Sequence, residues 1–373
     1  MVTRMKLTAL LGAAALVSLA SAPSAIHRSQ TPAGTAAATT ACTEVAPACT
    51  DWIAVGSKGG RSLVYTTYPV TKPHARVTRA LIMIHGTLRN PDVYFTTATA
   101  AAFLAHALDN TVVIAPRIAS AQGSCKDELA ANEISYGCGG DSWRSGGNAA
   151  SDPSVTSFDF MDRLVERLAD KNVFPNMRVI VIAGHSAGGQ FVARYEMANK
   201  VHETLGVPVR YVVSNPSSYA WPDATRPLPT GDAAPEAARM GWQLESKPHA
   251  DFTYGPFAGA SACPNFDKWP YGLEQRTSGY TAGMTDDQLK KQLASRPTTY
   301  LLSQVDTLPL GGFDSGCGAM AQGATRRARG EAYFKFVTEH LGAKHEVKII
   351  EECGHNNRCV YTDDAALPVI FPK

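Results

Sequence analysis

A glycine-flanked serine between an apolar run and a helical pattern restricts the fold of this chain more than any other feature. Residues 179–183 read Val-Ile-Val-Ile-Ala, residues 184–188 read Gly-His-Ser-Ala-Gly, and helical spacing follows over residues 189–199. The two glycines permit a turn so tight that a Cβ atom at either position would clash. The segment therefore predicts a buried strand, a sharp turn that lifts the Ser186 hydroxyl above a sheet, and a helix.

Short apolar runs and longer helical patterns alternate along most of the chain. We predict strands at residues 63–68, 80–84, 112–115, 179–183, 211–213, 300–305 and 347–351. We predict helices at residues 94–108, 158–169, 189–199 and 325–341. Several of the runs are almost continuously apolar, as strands buried on both faces require. The pattern predicts an α/β fold with a mostly parallel central sheet and helices on both of its faces.

Residues 216–297 interrupt this alternation. They are rich in Pro, Gly and Ala and carry many aromatic side chains, including Trp221. Ligands of open α/β sheets bind outside the carboxyl ends of the strands, so we predict a loop-like, aromatic-rich insertion over the active site. On this interpretation Trp221, together with Trp143, lines the substrate pocket. The alternatives are a separate aromatic core for the insertion and a buried structural position for Trp143.

Three late histidines are candidates for the general base that a serine nucleophile needs. In such a strand–turn–helix arrangement the base follows Ser186 in the chain. His340 falls within a helical pattern and His345 precedes a strand, whereas His355 follows the strand predicted at residues 347–351. We therefore predict that His355 is the base.

Asp306 is the predicted acid that orients this base. It follows immediately after the apolar run at residues 300–305. A carboxylate at the end of a buried strand can reach an imidazole on an adjacent loop and stabilise the imidazolium that forms. Asp314 remains open as the alternative.

Two backbone N–H groups are candidates for an oxyanion hole. Acyl transfer needs hydrogen-bond donors where negative charge develops on the carbonyl oxygen. Ala187 is the residue after the nucleophile, and Thr87 follows His85 and Gly86 at the end of a predicted strand. Gly86 permits close backbone approach, so the N–H groups of Ala187 and Thr87 are the predicted donors. We expect His85 and His185 to hold the loops rather than to transfer protons.

The amino-terminal segment, residues 1–22, has the organisation of a secretory signal peptide. Arg4 and Lys6 precede an apolar stretch at residues 7–19, and Ala-Ser-Ala follows at residues 20–22. About 13 apolar residues are fewer than the roughly 20 that span a bilayer. We therefore expect export, with no stable membrane insertion.

The rest of the chain divides by composition into a leader and a catalytic domain. Residues 23–50 are rich in Ala, Thr and Pro and are expected to be flexible except near Cys42 and Cys49, where the leader is tied down. Residues 51–373 are expected to form the catalytic domain, since 45% hydrophobic and 18% charged residues support a large core. The net charge of +2 gives no electrostatic reason to expect a nucleic-acid partner.

The chain contains 8 cysteines, an even number that suits disulfides in an oxidising compartment. Eight cysteines allow on the order of a hundred connectivities, so pairing by proximity is a working hypothesis. It pairs Cys42 with Cys49, Cys125 with Cys138, Cys263 with Cys317, and Cys353 with Cys359. The last pair would close a short loop around His355. No C-x-x-C pair supports a zinc site, so no metal is expected.

The order of these residues, each at the end of a strand, resembles that of the α/β-hydrolase superfamily. The resemblance extends from about residue 63 to the carboxyl terminus and looks like the branch of secreted serine esterases and polymer depolymerases. It implies ester hydrolysis through an acyl-enzyme, with no metal or organic cofactor. His85-Gly86-Thr87 stands where many lipases have a longer glycine run, and no amphipathic lid helix is evident. These departures argue against a long-chain lipase.

The sequence does not decide between ester hydrolysis and two related reactions. A serine peptidase and an acyltransferase use the same residues on the same fold. Exclusion of water, rather than the triad, separates acyl transfer from hydrolysis. We expect a small-molecule or polymeric ester as substrate, with aryl esters, hydroxycinnamoyl esters and polyesters suited to an aromatic cleft. The oligomeric state is not indicated.

Overall fold

The apolar runs of the sequence become the strands of a central sheet. In the computed structural model, which describes residues 40–139, 142–230, 251–276 and 279–373, eight strands form this sheet. The predicted signal peptide, and the leader as far as residue 39, lie outside the described residues. The described residues all belong to one compact unit, Thr40–Lys373.

From residue 79 to residue 214, strands and α-helices alternate as the sequence pattern predicts. The strands are β1 (Thr50–Val55), β2 (Gly60–Thr66), β3 (Arg79–Ile84), β4 (Thr111–Pro116), β5 (Val179–His185), β6 (Val209–Ser214), β7 (Thr225–Thr230), β8 (Asp251–Pro256), β9 (Thr298–Ser303) and β10 (Glu346–Ile350). The helices are α1 (Pro91–Leu104), α2 (Ser157–Ala169), α3 (Ala187–Ala198), α4 (Asp286–Ser295), α5 (Cys317–Met320), α6 (Arg326–His340), α7 (Asn357–Tyr361) and α8 (Leu367–Ile370). Within the described ranges no helix is both long and apolar enough to cross a membrane.

The central sheet is mostly parallel. Its strand order is β1-β2-β4-β3-β5-β6-β9-β10. The strands from β4 to β10 in this order pair in parallel, whereas β2 pairs antiparallel with both β1 and β4. All seven predicted strands are present, and the predicted fold class is confirmed.

Strand β3 shows how the sheet is covered on both faces. Successive side chains of a strand point to opposite faces, and Leu81 and Met83 belong to one core cluster while Ile82 and Ile84 belong to another. Helix α1 contributes to the first cluster, and α2 and α3 contribute to the second. The continuous apolar run of β3 follows from this burial on both sides.

The insertion at residues 216–297 is not loop-like throughout, so that prediction is wrong in part. Its described residues contain the antiparallel pair β7 and β8, and helix α4. Strand β7 reads Thr-Arg-Pro-Leu-Pro-Thr, a sequence that does not read as a strand because proline has no N–H to donate. A two-stranded ribbon tolerates proline at positions where the backbone nitrogen points away from the partner strand.

Two aromatic side chains of the insertion, Trp221 and Tyr254, pack against helix α6. The ring centroid of Trp221 lies 5.5 Å from that of Tyr333 and 5.1 Å from that of Phe336. Tyr254 lies 5.2 Å from Phe336 by the same measure. These rings belong to or pack against the same core cluster as Ile82 and Ile84, so they form neither a pocket lining nor a separate core of the insertion.

The four disulfides pair as predicted from proximity in the sequence. They are Cys42–Cys49, Cys125–Cys138, Cys263–Cys317 and Cys353–Cys359. Their sequence separations are 7, 13, 54 and 6 residues. Three of them therefore close short local loops, and the third ties the insertion to the start of helix α5.

Candidate active site

Ser186 lies in the turn between β5 and α3, in a strained backbone conformation. Its φ is 60° and its ψ is −120°, a combination that residues other than glycine rarely adopt. The Ser186 N–H donates to the carbonyl oxygen of Ser214 at 2.9 Å, which ties the turn to the neighbouring strand β6. The side chain is 6% exposed at the mouth of a pocket.

The glycines on either side of Ser186 are required by close backbone contacts. A Cβ atom on Gly184 would overlap the carbonyl group of Gly188, and one on Gly188 would overlap the carbonyl oxygen of Ile84. The turn thus brings the start of α3 directly against the end of β3. No larger residue fits these two positions without moving one of the elements.

The three predicted triad residues lie in one continuous chain of hydrogen bonds. Nε2 of His355 is 2.9 Å from Oγ of Ser186, and Nδ1 is 2.7 Å from Oδ2 of Asp306. Asp306 accepts only, so Nδ1–H of the neutral imidazole donates to the carboxylate, and Nε2 accepts from the serine hydroxyl. His355 lies between β10 and α7, and Asp306 follows β9.

The alternative residues lie elsewhere. Asp314 accepts from the Tyr271 hydroxyl at 2.8 Å and from the N–H of Gly316 at 2.9 Å. His340 stacks on Phe336. His345 is buried and lies just before β10, at the opposite end of that strand from His355. Its Nδ1 lies 3.0 Å from the hydroxyl oxygen of Tyr300.

Arg326 is a site residue that the sequence interpretation missed. Nη1 of this fully buried arginine lies 3.3 Å from Oδ1 of Asp306. The two carboxylate oxygens of Asp306 thus have different partners, His355 and Arg326. The signal in the sequence is the run Arg-Arg-Ala-Arg at residues 326–329, which opens a helix after the capping residue Thr325. Three arginines within one helical turn, next to a site, are unusual for a solvated face.

Thr87 lines the pocket in front of Ser186, and Ala187 is the first residue of α3, directly after Ser186. Within the described part of the chain neither backbone N–H has a hydrogen-bond acceptor. Gly86 lies close by, since a Cβ atom placed on it would be 3.8 Å from Cβ of Ser186. Neither N–H group is committed to a protein acceptor, as the predicted oxyanion donors require.

His85 holds the loop that carries Thr87. Its Nδ1 lies 3.0 Å from the carbonyl oxygen of Gly86 and its Nε2 accepts from the N–H of Ile118 at 3.3 Å. Burial lowers the pKa of His85 to about 4. Both nitrogens of this neutral imidazole are engaged in hydrogen bonds that hold the loop. His85 is therefore not free to exchange a proton with a substrate.

His185 lies directly beside the triad histidine. The ring centroids of His185 and His355 are 4.5 Å apart. Burial, with a smaller contribution from the neighbouring His355, lowers the pKa of His185 well below its ordinary value. His185 is therefore a neutral packing partner for the base.

A cavity of about 310 Å³ opens in front of Ser186. It is lined by Gly86, Thr87, Leu88, Asn90, Val93, Tyr94, His185, Ser186, Gly311, Gly312, His355, Asn356 and Asn357. Leu88 at its mouth is 81% exposed, so the cavity is open to solvent.

Trp143 and Trp221 do not line this cavity. Trp143 is 2% exposed and its ring lies 5.1 Å from that of His85. Trp221 is fully buried against helix α6. Both are core residues in this structure because their rings fill space behind the loops rather than in front of Ser186.

An open, mostly parallel α/β sheet with a serine, a histidine and an aspartate at its carboxyl edge defines a hydrolase-type fold. The model of the alpha/beta hydrolase family matches residues 81–368. The chain belongs to the alpha/beta hydrolase family.

Two solved structures share this fold at low sequence identity. One is poly(aspartic acid) hydrolase-1 from Sphingomonas sp. KT-1, with 21% identity and a TM-score of 0.57 over 86% of this chain and 97% of that one. The other is a poly(3-hydroxybutyrate) depolymerase from Bordetella parapertussis, with 18% identity and a TM-score of 0.54 over 86% and 94%. At these identities the likeness concerns the fold. Comparison with curated proteins finds no match.

Proposed function

We propose that this protein is an exported serine hydrolase that cleaves carboxylic esters through an acyl-enzyme. The observation that carries the proposal is the unbroken hydrogen-bond chain from Ser186 through His355 to Asp306. A serine hydroxyl becomes a useful nucleophile when a positioned base takes its proton. The strained backbone of Ser186 holds its hydroxyl at the pocket, where a substrate carbonyl can meet it.

The first half-reaction transfers the acyl group to the enzyme. Oγ of Ser186 attacks the ester carbonyl carbon while Nε2 of His355 takes the hydroxyl proton. The carbonyl electron pair moves to oxygen, where the N–H groups of Thr87 and Ala187 donate to the oxyanion. The intermediate then collapses, the carbon–oxygen bond to the alcohol breaks, and His355 returns the proton to the leaving alcohol.

The second half-reaction releases the acid. Water enters the open cavity and attacks the acyl-enzyme carbonyl, with His355 again taking the proton. Collapse expels Oγ of Ser186, which recovers the proton from His355. Free access of water favours hydrolysis over transfer to another acceptor.

The cavity favours an ester that extends beyond its walls. Apolar side chains such as Leu88 and Val93 lie beside the amides of Asn90 and Asn356. Two of the structural neighbours are named for polymer cleavage, one of poly(aspartic acid), which is joined by amide bonds, and one of poly(3-hydroxybutyrate), which is joined by ester bonds. Poly(3-hydroxybutyrate)-like polyesters therefore belong in a substrate panel beside small aryl and alkyl esters, with a polyamide as the comparison.

Export is supported by two independent features. The segment at residues 1–22 has the pattern of a signal peptide. All cysteines of the chain are paired in disulfides, which persist outside the reducing cytosol. We propose an extracellular or periplasmic location for the mature enzyme.

The test uses the purified protein and two serine variants, Ser186→Ala and the control Ser295→Ala on the exposed end of α4. Each is incubated with a fluorophosphonate probe and with p-nitrophenyl, aryl and polymeric esters. We expect wild type and Ser295→Ala to be labelled and to hydrolyse at least one ester, and Ser186→Ala to do neither. Labelling that survives Ser186→Ala contradicts the nucleophile. Labelling without any ester turnover contradicts ester hydrolysis in favour of peptidase or transferase activity.

A further inference from the structure

Arg326 joins the triad acid to one wall of the substrate cavity. Its Nη1 lies 3.3 Å from Oδ1 of Asp306, and its Nε donates to Oγ of Ser217 at 2.7 Å. Its Nη2 donates to the carbonyl oxygens of Leu310 and Gly311 at 2.6 and 3.0 Å. The guanidinium thus uses all three of its nitrogens, and its contacts lie on three different segments of the chain.

This set of contacts suits arginine and no other side chain. Burying a charge is costly unless it is paired and hydrogen-bonded. The planar, forked guanidinium of Arg326 satisfies that condition with a carboxylate, a hydroxyl and two carbonyls. A lysine has three donors at one point and cannot reach partners spread over this distance.

The contact with Asp306 fixes the direction of its carboxylate. Oδ2 faces Nδ1 of His355, and Oδ1 faces Arg326. With only one partner the carboxylate could rotate about its Cβ–Cγ bond. With a partner on each oxygen it presents one fixed oxygen to the imidazole.

The contact with Leu310 and Gly311 fixes the cavity wall. A Cβ atom on Gly311 would be 3.0 Å from Cδ2 of His355, and one on Gly312 would be 3.0 Å from Cγ2 of Thr87. The segment at residues 310–312 is therefore packed against both the base and the oxyanion loop. A small displacement of this segment changes the space that a substrate meets.

We infer that Arg326 is a positioning residue, which orients Asp306 and holds the wall at residues 310–312 beside His355. The inference rests on the proposed function, since it assigns Arg326 a part in the triad. Arg326 does not touch the reacting atoms and acts through Asp306 and the wall.

Arg329 provides a matched control on the same helix. It is also fully buried, and it donates to the carbonyl oxygens of Gly323 and Asp314 at 2.8 and 2.9 Å. Its described hydrogen bonds do not include the carboxylate of Asp306. Arg326→Met and Arg329→Met thus remove the same charge and a similar set of buried hydrogen bonds, and only the first removes the contact with the triad.

The experiment measures kcat and KM with the best p-nitrophenyl ester, the rate of fluorophosphonate labelling, and thermal unfolding. We expect Arg326→Met to lower kcat on the order of 100-fold, as misplaced catalytic groups do, and to raise KM only several-fold. Arg329→Met should stay within about threefold of wild-type kcat and KM. Equal losses of kcat in both variants contradict the positioning role.

Arg326→Lys decides the question where Arg326→Met does not fold. It keeps the charge and loses the planar fork of hydrogen-bond donors, so we expect a folded enzyme with kcat at least about tenfold below wild type. A wild-type kcat in Arg326→Lys contradicts the inference. A wild-type enzyme that neither reacts with the probe nor cleaves any ester instead contradicts the proposed function.

Discussion

Ser186, His355 and Asp306 depend on one another for their protonation states. The hydroxyl needs an unprotonated Nε2, and the proton on Nδ1 needs the carboxylate of Asp306. Asp306 is only 2% exposed, so water does not replace His355 or Arg326 as its partner. The acid therefore sets which tautomer the base adopts, and its removal should cost nearly the whole of the catalytic advantage of the triad.

Replacing the acid tests this dependence. We expect Asp306→Asn to lower kcat on the order of 10⁴-fold, because an amide favours the wrong tautomer of the imidazole. Asp314→Asn is the control, since Asp314 bonds Tyr271 and Gly316 instead. Steady-state kinetics on the same ester make the comparison. Near-normal rates in Asp306→Asn would assign the acid to another residue.

A second carboxyl group, Glu196, is buried away from the active site. Burial raises the pKa of Glu196 to about 8 and lowers that of His345, 3.4 Å away, to about 4. Both are therefore neutral near pH 6, and the contact between them is not an ion pair. Nε2–H of His345 donates instead to the carbonyl oxygen of Leu293 at 2.9 Å.

The raised pKa of Glu196 predicts how stability changes with pH. The folded-state value lies above the ordinary 4.5, so folding favours the protonated carboxyl. The contribution to stability is complete below pH 4.5 and is lost as pH rises through about 8, by up to about 1.4 kcal/mol per pH unit. Glu196→Gln cannot ionise. The free energy of unfolding of Glu196→Gln, measured by denaturant at pH 5 to 8.5, should increase relative to that of wild type as pH rises. A difference independent of pH would contradict the buried, neutral glutamic acid.

The contact of Arg326 with Asp306 could not be predicted from the sequence. Asp306 and His355 were predictable because each follows a buried apolar run and so lies at the active edge of the sheet. Arg326 lies at the start of a helix, 20 residues from Asp306 in the sequence, and its role depends on where that helix packs. No local pattern encodes the packing position of a helix on a sheet.

Among the elements, the turn between β5 and α3 and the helices after Thr156 and Thr325 were predicted, whereas α4, which follows Thr285, was missed. Thr156, Thr285 and Thr325 each precede a helix and accept a hydrogen bond from a backbone N–H three residues later. Such signals are local, so the sequence carries them directly. The pair β7 and β8 was missed for two reasons. Each strand is stabilised by the other, which lies on the far side of residues 231–250 in the sequence. The prolines of β7 are also not typical of a strand.

The loop that carries His355 is held by the Cys353–Cys359 disulfide, and this element can be tested by itself. We expect Cys353→Ser/Cys359→Ser to lower kcat at least about tenfold, because His355 loses its fixed position relative to Ser186. Cys42→Ser/Cys49→Ser is the control, with a sequence separation of 7 against 6. Both variants should lose comparable stability in thermal unfolding. Equal kcat in the two variants would show that the loop around His355 does not need the disulfide.

In the whole molecule, the parallel sheet brings the site together. Ser186 follows β5, Asp306 follows β9 and His355 follows β10, and parallel strands place their carboxyl ends at one edge. Chain order therefore predicted which residues meet. The walls of the cavity were not predictable in this way. The aromatic insertion was expected there, yet Trp221 and Tyr254 pack on α6, because burial against a helix removes more of their surface from water than a pocket rim does.

Substitutions of Trp221 and Leu88 compare the effect of changing a core residue with the effect of changing a residue of the cavity. We expect Trp221→Ala to lower the free energy of unfolding by about 3–5 kcal/mol and to leave KM unchanged, as a core truncation does. Leu88→Ala, at an 81% exposed position of the cavity mouth, should change stability by less than about 0.5 kcal/mol and raise KM. Denaturant unfolding and ester kinetics measure both. A raised KM in Trp221→Ala without loss of stability would return Trp221 to the substrate site.

The central claim is that the reaction passes through an acyl group on Ser186. The most direct measurement is a rapid-quench reaction with a p-nitrophenyl ester, followed by mass spectrometry of the peptide that contains Ser186. We expect a burst of about one p-nitrophenol per enzyme and the mass of the acyl group on Ser186, both absent from Ser186→Ala. An acyl group on another residue, or steady turnover in Ser186→Ala, would contradict the account.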